Sequence, residues 1–589
     1  MTPNSPSTGS GRHSTGSSRH AIDSGPHSTG PGPNRRSFLA SSGFAVLAVA
    51  GGAPLLAACG GGGGSKNEGT TTGKKLKDLL PAYVASDLVS PDIPARNGSA
   101  AGFTKALPAA ELKTSVPERL GMGGEFTVMS PIWGNVPKRG NPYWTAMDKA
   151  AGVRVTWQNQ QGDTYGQKLG AVLASSSVPD AVVVPGWELT GKIPSAIANK
   201  FADLGPYLSG DKVKEYPNLA AIPTGAWQRS VFGGKLRGLP MPSATTPNIA
   251  PFHRTDLFEK EGLKAPTSAQ QFYDLCKQLN APKSKVWACG DMTWAAWNIF
   301  GVLPEKPYYW KLVDGKLVNR YETDEYLEAL EWSRKLYSAG FVHPDAKAET
   351  GSIGDLCAAG KVWMYCHDLS DWYGKAAVQR VDDKKFRMEA FDYFAPDGGA
   401  PTLYARPPAD IWTFVSEKAD EKTVRDILAL ANFTAAPYGS KEQRLRMYGV
   451  EGVHHSLKDG VLTKNGKGNN EVFSTYEYLA SPAPFIAYAD LPDVTRGMVG
   501  WQQRQGAHTR KPLFHGMMII EPTRYTELNA EFEDLEKDIV RGRRKVSDMR
   551  QAAADWKSGG GDKLRDWYKK LLDGTGATGE TAAAGGSAS

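Results

Sequence analysis

Four apolar residues, Ala181-Val182-Val183-Val184, lie between Pro179-Asp180 and Pro185-Gly186. A run so short and so uniformly apolar, closed by turn residues at both ends, suits a β-strand buried on both faces. A strand with one wet face would alternate polar and apolar residues. Burial on both faces requires cover above and below the sheet, and the preceding sequence supplies it. Phe126-Thr127-Val128-Met129 reads as a strand, Pro142 to Ala151 as a helix, Val153-Arg154-Val155-Thr156-Trp157 as an alternating strand, and Tyr165 to Ala174 as a helix. Strand, helix, strand, helix, strand predicts a parallel α/β sheet.

Past residue 250 the helices are marked by caps and by apolar residues on one face. Thr267 caps a segment that aligns Phe272, Leu275, Cys276 and Leu279. Thr323 opens another, with Tyr326, Leu330, Ser333 and Tyr337 in register, closed by Gly340 with Pro344 beyond. Leu528, Phe532, Leu535 and Ile539 form a third stripe, and Leu564, Trp567, Tyr568 and Leu571 a fourth. With 589 residues the chain has material for two to four compact units. Residues 1–33 are rich in Ser, Gly, Pro and His and carry no apolar period, so disorder is expected there. Residues 59–73 read as a flexible Gly/Thr-rich tether. Residues 74–120 read as an extended, proline-spaced arm packed on the body, and 574–589 as a disordered tail.

The N-terminus carries an address. Asn34-Arg35-Arg36-Ser37-Phe38-Leu39 resembles the twin-arginine export signature, and the apolar run from Phe38 to Ala58 ends in Leu56-Ala57-Ala58-Cys59, which resembles a lipobox. On this reading residues 1–58 are removed and Cys59 is acylated. The protein is then exported and lipid-anchored on the outer face of the cytoplasmic membrane. A membrane-spanning helix fits less well, because Gly51, Gly52 and Pro54 interrupt the run and Gly60 to Gly64 follow it in place of positive stop-transfer residues. The other four of the five cysteines fall into two local pairs, Cys276 with Cys289 and Cys357 with Cys366. In an oxidising compartment these are expected to be disulfides. Close Cys/His clusters are missing, and the adjacent His454-His455 would face opposite ways on a strand. No metal and no cofactor is therefore expected. The formal charge of +7 is a mild excess for this length. The one basic run, Arg541 to Lys545, reads as a solvated helix end, so nucleic acid is not an expected partner.

Several phrases resemble one family. They are Ala174-Ser175-Ser176-Ser177-Val178-Pro179-Asp180, Gly233-Gly234-Lys235-Leu236-Arg237-Gly238-Leu239-Pro240, His253-Arg254-Thr255-Asp256-Leu257-Phe258 followed by Pro266-Thr267-Ser268, and Tyr448-Gly449-Val450-Glu451-Gly452-Val453-His454-His455. Gly542, Val546-Ser547-Asp548, Trp556 and Gly559-Gly560-Gly561 complete the series. In order and spacing, over most of residues 124–572, they resemble the extracellular solute-binding proteins, family 1, of ABC transporters, especially the large lipoprotein branch that includes the alginate-oligosaccharide-binding proteins. The resemblance implies a two-lobe periplasmic-binding-protein-like α/β fold with an interlobe cleft and a hinge. Its lobes would be 121–250 plus 412–530 and 251–411 plus 531–573, with crossovers near Pro251 and Pro407-Pro408. It also implies hinge closure on ligand, monomers, and ABC permease subunits as partners. One departure stands out. Where the alginate-binding relatives carry a calcium loop, this chain reads Ala281-Pro282-Lys283-Ser284-Lys285, without a carboxylate. Calcium needs six to eight oxygen ligands, so the site is not carried over.

A sugar offers hydroxyls at its edge and weakly apolar C–H faces. It is gripped by planar polar side chains and by stacked Trp or Tyr. Sixteen Trp exceed what a core of this size demands. Candidates that follow strand ends are Trp133 and Asn135, Trp187 and Glu188, Asp291 with Trp294 and Trp297, Asp368, Asp371, Trp372 and Tyr373, and, beside the second crossover, Tyr404, Arg406, Asp410 and Trp412. For Trp412, inside Ile411-Trp412-Thr413-Phe414, a core position is the better reading. Arg406 and Arg254 could meet a uronate or be ion-paired structurally. Two rival classes remain. A secreted glycoside hydrolase would need two carboxylates about 5–10 Å apart; no nucleophile elbow, His-Glu-x-x-His motif or P-loop is present. A peptide or polyamine binder on the same fold would show more cleft carboxylates and fewer stacking aromatics. The reading favoured is a binding lipoprotein that captures a carbohydrate for an ABC importer. Cys59→Ala should leave the protein unprocessed or released from the membrane. Fractionation of the variant as a lipoprotein would overturn the lipobox reading.

Overall fold

Residues 125–185 form the expected strand–helix–strand–helix–strand unit: β1 (Glu125–Ile132), a helix over Pro142–Ala151, β2 (Arg154–Gln161), a helix over Tyr165–Ala174, and β3 (Ala181–Pro185). The computed structural model describes residues 67–575 apart from Asp87, 117–119, Gly134, Asn135, Arg139, 349–351 and Asp459, together with the backbone of Thr581 and Ala582. The export signal and Cys59 lie outside the described residues, as does most of the tail. Local chemistry sets the boundaries of the first helix. The Asn141 side chain accepts from Trp144 N at 2.9 Å, Pro142 sits at its start, and Gly152 at φ 80° ends it.

The chain continues through β4 (Gly238–Pro242) and then leaves this sheet. It builds β5 (Ile249–His253), β6 (Trp287–Cys289), β7 (Val362–Asp368) and β8 (Glu389–Ala390), and returns as β9 (Ala409–Val415). The first sheet has the order β2-β1-β3-β9-β4, and the second β8-β5-β7-β6. β1 is parallel to β2 and β3, while β9 runs antiparallel to both β3 and β4. Every residue of β3 is buried, as its composition predicts. Two cores follow. One gathers Val128, Val182, Trp227, Trp412 and Phe414 around the first sheet; the other gathers Phe252, Phe272, Trp310, Tyr365 and Trp501 around the second.

The expected crossovers shift. Pro251 lies inside β5, where its carbonyl accepts from Phe391 N at 3.0 Å and its missing N–H costs a single ladder donor. The first crossover is therefore 243–248, and the second ends before Ala409, so a boundary at 411/412 would cut β9. A third was expected near 530 and falls between Ala480 and Val494. Tyr476, Leu479 and Ala480 belong to the first core, whereas Val494, Met498 and Trp501 belong to the second. The helix Pro492–Gly506 is thus a second-lobe element, with Trp501 Nε1 donating to Phe391 O at 3.0 Å. Its Gln502 and Gln505 are buried, and their side-chain oxygens accept from the backbone N–H groups of Ala100 and Tyr393.

The arm is tied down earlier than the tether reading implied. Gly69 and Ile520 exchange both backbone hydrogen bonds, at 2.8 and 2.9 Å. Leu76, Leu79 and Leu80 pack on the first core. Farther on, the arm straps two crossovers. Thr245 N donates to Gly98 O at 2.9 Å, and Ala101–Gly102 pairs in parallel with Phe485–Ile486. Ala100 N donates to Gln502 Oε1 at 3.0 Å, and Gln503 Nε2 donates to Pro94 O at 2.9 Å. At the other end of the chain, the backbone of Thr581 and Ala582 pairs with Arg510 and Lys511, so the tail reading fails there.

The four remaining cysteines are buried free thiols, not the expected disulfides. Cys289 and Cys276 share a thiol contact. Cys357 Sγ, in contrast, lies 3.9 Å from Trp363 O and Cys366 Sγ lies 3.2 Å from Asp291 O, so this second pair aims at different backbone partners. Burial raises the pKa of Cys289, Cys357 and Cys366, which keeps them as unreactive thiols.

Gly98 sits at φ 79°, and a Cβ there would overlap the Thr245 hydroxyl. Gly98→Ala should destabilise the protein by about 1–3 kcal/mol, read as a lowered denaturation midpoint. An unchanged midpoint would mean that the strap is not closely fitted.

Candidate functional site

Parallel strands end at one edge, and three of them bring residues together there. Trp133 follows β1, Gly162-Asp163 follow β2, and Gly186-Trp187-Glu188 follow β3. The Trp133 ring lies so close over Gly162 that a side chain there would overlap it. Its centroid is 6.1 Å from that of Trp187 and 6.3 Å from that of Tyr478. Both tryptophans stay open to solvent, Trp133 at 45% and Trp187 at 53%, although large apolar rings usually bury themselves. Glu188 lies over Gly166, and burial raises its pKa. Asp410, at the start of β9, packs against Gly186. Burial raises its pKa too, against the opposing charges of Arg406 and Arg229. Arg406 Nη2 lies 4.0 Å from Asp410 Oδ2. Asn135 lies outside the described residues.

The second lobe presents a wall of its own. A cavity of about 940 Å³ is lined by Asp291, Thr293, Trp294 and Trp297 after β6, by His367 and Asp371 at the end of β7, and by Glu533 and Glu536 of the helix Ala530–Val540. Asp163 of the first lobe also lines it, so the cavity lies where the two lobes face each other. Trp294 is 55% exposed. Trp297 is backed by Tyr326, stacked at 5.3 Å and 19°, and by the Arg320 guanidinium at 5.4 Å. Phenols fix the carboxylates. Tyr337 donates to Asp291 at 2.7 Å, Tyr365 donates to Asp371 at 3.0 Å, and Tyr326 donates to Glu536. Burial, and then the neighbouring carboxylate, raises the pKa of each of these tyrosines. They remain donors to these carboxylates, and burial raises the pKa of Glu536 as well.

Five expected residues lie elsewhere. Trp372 is only 5% exposed and packs against Phe252 in the second core. Asp368 accepts from Asn248 Nδ2 at 2.7 Å, which ties β7 to the first crossover. Tyr373 stacks on Tyr488 at 3.6 Å and donates to Asp490 at 2.9 Å, on the third crossover. Tyr404 pairs with Arg510 in a short parallel ladder, and Arg406 N donates to Thr245 O at 2.9 Å. All five lie near strand ends, as the sequence implied; Trp372 packs in the core, Asp368 and Tyr373 bond to crossover residues, and Tyr404 and Arg406 are held beside the second crossover by backbone bonds. Trp412 is fully buried, and Arg254 forks onto Asp256 at 2.8 and 2.7 Å. Asp163 was overlooked although it follows β2 just as Trp133 follows β1. Glu533 and Glu536 carried no signal, since their helix reaches the cavity only through tertiary packing.

The Ala281–Lys285 loop is closed by backbone, Ala281 and Val286 exchanging hydrogen bonds at 3.1 and 3.3 Å. Among the described residues no group of three or more His, Cys, Asp or Glu is placed to hold a metal ion, and no helix is long and apolar enough to cross a membrane.

A model of the bacterial extracellular solute-binding protein family matches residues 126–436. Lipoprotein LipO of Bacillus subtilis is 23% identical over 469 residues, which cover 75% of this chain and 91% of LipO. The alginate-binding protein AlgQ2, solved without calcium ion, superposes with a TM-score of 0.55 at 12% identity, covering 78% of this chain and 100% of AlgQ2. The N-glycan transport protein NgtS of Streptococcus pneumoniae, solved in complex with Man1GlcNAc, gives 0.55 at 15% identity, covering 77% of this chain and 99% of NgtS. These structures share the two-lobe α/β fold.

Replacement by alanine separates the two kinds of tryptophan. Trp372→Ala should cost about 3–5 kcal/mol of folding stability. Trp294→Ala should stay within about 0.5 kcal/mol of the parent. Denaturant melts check both, and equal losses would put Trp294 in the core.

Proposed function

This chain belongs to the bacterial extracellular solute-binding proteins, and we propose that it captures an oligosaccharide between its lobes and delivers it to the permease subunits of an ABC importer. The observation that carries the substrate class is the pairing, in the second-lobe wall of the cavity, of exposed Trp294 and half-buried Trp297 with carboxylates fixed by phenols, alongside two further exposed tryptophans on the first-lobe strand edge. Trp133 and Trp187 stand on the first-lobe edge, and Trp294 and Trp297 in the second-lobe wall. Flat rings suit the C–H faces of pyranoses, and carboxylates held by phenols accept hydrogen bonds from ring hydroxyls. The cavity volume, about 940 Å³, is at the upper end of the roughly 300–1,000 Å³ typical of small-molecule sites, so a ligand of several sugar rings fits. The sugar ligands named for AlgQ2 and NgtS support the same class.

Export and anchoring complete the proposal. The twin-arginine-like segment and the lipobox-like Leu56-Ala57-Ala58-Cys59, together with the likeness to LipO, support a lipoprotein held at the membrane by acylated Cys59. We further propose that the protein binds without turnover, its carboxylates serving as acceptors.

A glycan panel scored by thermal shift tests the class. A bound ligand stabilises the native state by about 2.7 kcal/mol at a hundred times its Kd. Against the best hit, Trp187→Ala and Trp294→Ala should each weaken binding by about 1–3 kcal/mol, measured by calorimetry. Stabilisation by a peptide or polyamine but by no glycan would show the substrate class to be wrong. Cleavage of the hit on incubation would make the protein an enzyme.

A further inference from the structure

We propose that the cavity accepts glycans without acid groups, neutral or amino-bearing, and turns away uronic acid oligomers; this rests on the carbohydrate reading above. The argument starts from the charges on its wall. Asp291, Asp371 and Glu536 are the carboxylates already tied to tyrosines, and Asp163, Glu305, Asp345 and Glu533 join them. Against these seven stand three cations, Lys375, Lys537 and Arg541. The formal excess is four negative charges, although the whole chain carries +7. The acidity therefore belongs to this site and not to the surface at large.

Two of the three cations are already engaged, and the third, Lys537, is a point charge and not a fork. A carboxylate ligand is read best by a guanidinium fork. Lys375 Nζ is 2.7 Å from Asp355 Oδ1. Arg541, the only guanidinium among the described lining residues, already has a partner. Arg254, which the sequence offered as a uronate ligand, is buried on Asp256, and Arg406 lies within 4.0 Å of Asp410; neither lines the cavity. A uronate entering here would face carboxylates at short range in a partly desolvated space, where like charges repel most strongly. A hydroxyl or an ammonium would meet acceptors already oriented by their phenols. Trp294 and Trp297 supply stacking area that does not depend on ligand charge.

The test compares ligands that share a backbone and differ in charge. The full-length protein is titrated by calorimetry with oligogalacturonate, its methyl ester, chitosan oligomers and neutral manno- and galacto-oligosaccharides, at low and at moderate salt. The tightest binder should be neutral or amino-bearing, and each acidic oligomer should bind at least ten-fold more weakly. That gap should narrow with salt, since screening acts over about 10 Å at 0.1 M. Asp345→Asn combined with Glu533→Gln should reduce the ratio between ester and free acid several-fold. An acid oligomer that binds as tightly as its ester, or more tightly, overturns the charge rule and leaves the carbohydrate reading standing. Binding of no glycan at all overturns that reading, and the charge rule with it.

Discussion

A strand buried on both faces and paired on both edges can leave no backbone group unsatisfied, and β3 meets that condition only because β9 arrives from beyond residue 408 to pair with its open edge. This debt of hydrogen bonds shapes everything else. The chain must leave the first sheet after β4, build a second, and come back. Directions then fix where it crosses. β9 is antiparallel, so Ile411 lies opposite Pro185 and Ala409 opposite Pro242. Its start, the end of β4 and the ends of β1 to β3 therefore share one edge. The second sheet repeats the pattern. Asp368 at the end of β7 lies opposite Ile249 at the start of β5, and β6 runs parallel to β7. Both sheets consequently turn the strand ends that carry the candidate site residues toward the same crossovers, with the cavity beside them.

Phenols do for the second-lobe carboxylates what backbone does for β3. Tyr337, Tyr365 and Tyr326 hold Asp291, Asp371 and Glu536 from behind. Deeper in, Tyr309 and Tyr568 donate to buried Glu521, which also pairs with Lys306 at 2.7 Å. Each of the three wall carboxylates is held by its phenol, which on the proposed reading lowers the ordering cost of binding.

How much of this could be read from the sequence depended on range. The buried strand, its covering helices and the tryptophans at strand ends were legible because each is local. A β-strand keeps period two and ends at a turn, so Trp133, Trp187 and Trp294 came out where a short motif put them. The lobe boundaries did not, because they came from the family resemblance and not from local residues, and Pro251, placed at the first crossover, is in fact tolerated inside β5. Trp372, Asp368 and Tyr373 share the strand-end signature of true wall residues. Only their partners, Phe252, Asn248 and Asp490, distinguish them, and those are far away in sequence. The second cysteine pair failed for the same reason, since nine residues of separation say nothing about which way Cys357 and Cys366 point, whereas Cys276 and Cys289 do meet, as thiols.

The strap over the hinge sets an order of assembly. Asn97 Nδ2 donates to Gln503 O across 406 residues of chain, so on a ribosome the arm is among the first segments made and must wait for partners near the end. Such long-range closures are slow to form and arrive late in folding. The third crossover and the strap that ties it to the arm are therefore completed after both sheets, and a chain that ended before Pro484 would have two lobes joined by two bare connections without the strap that binds them.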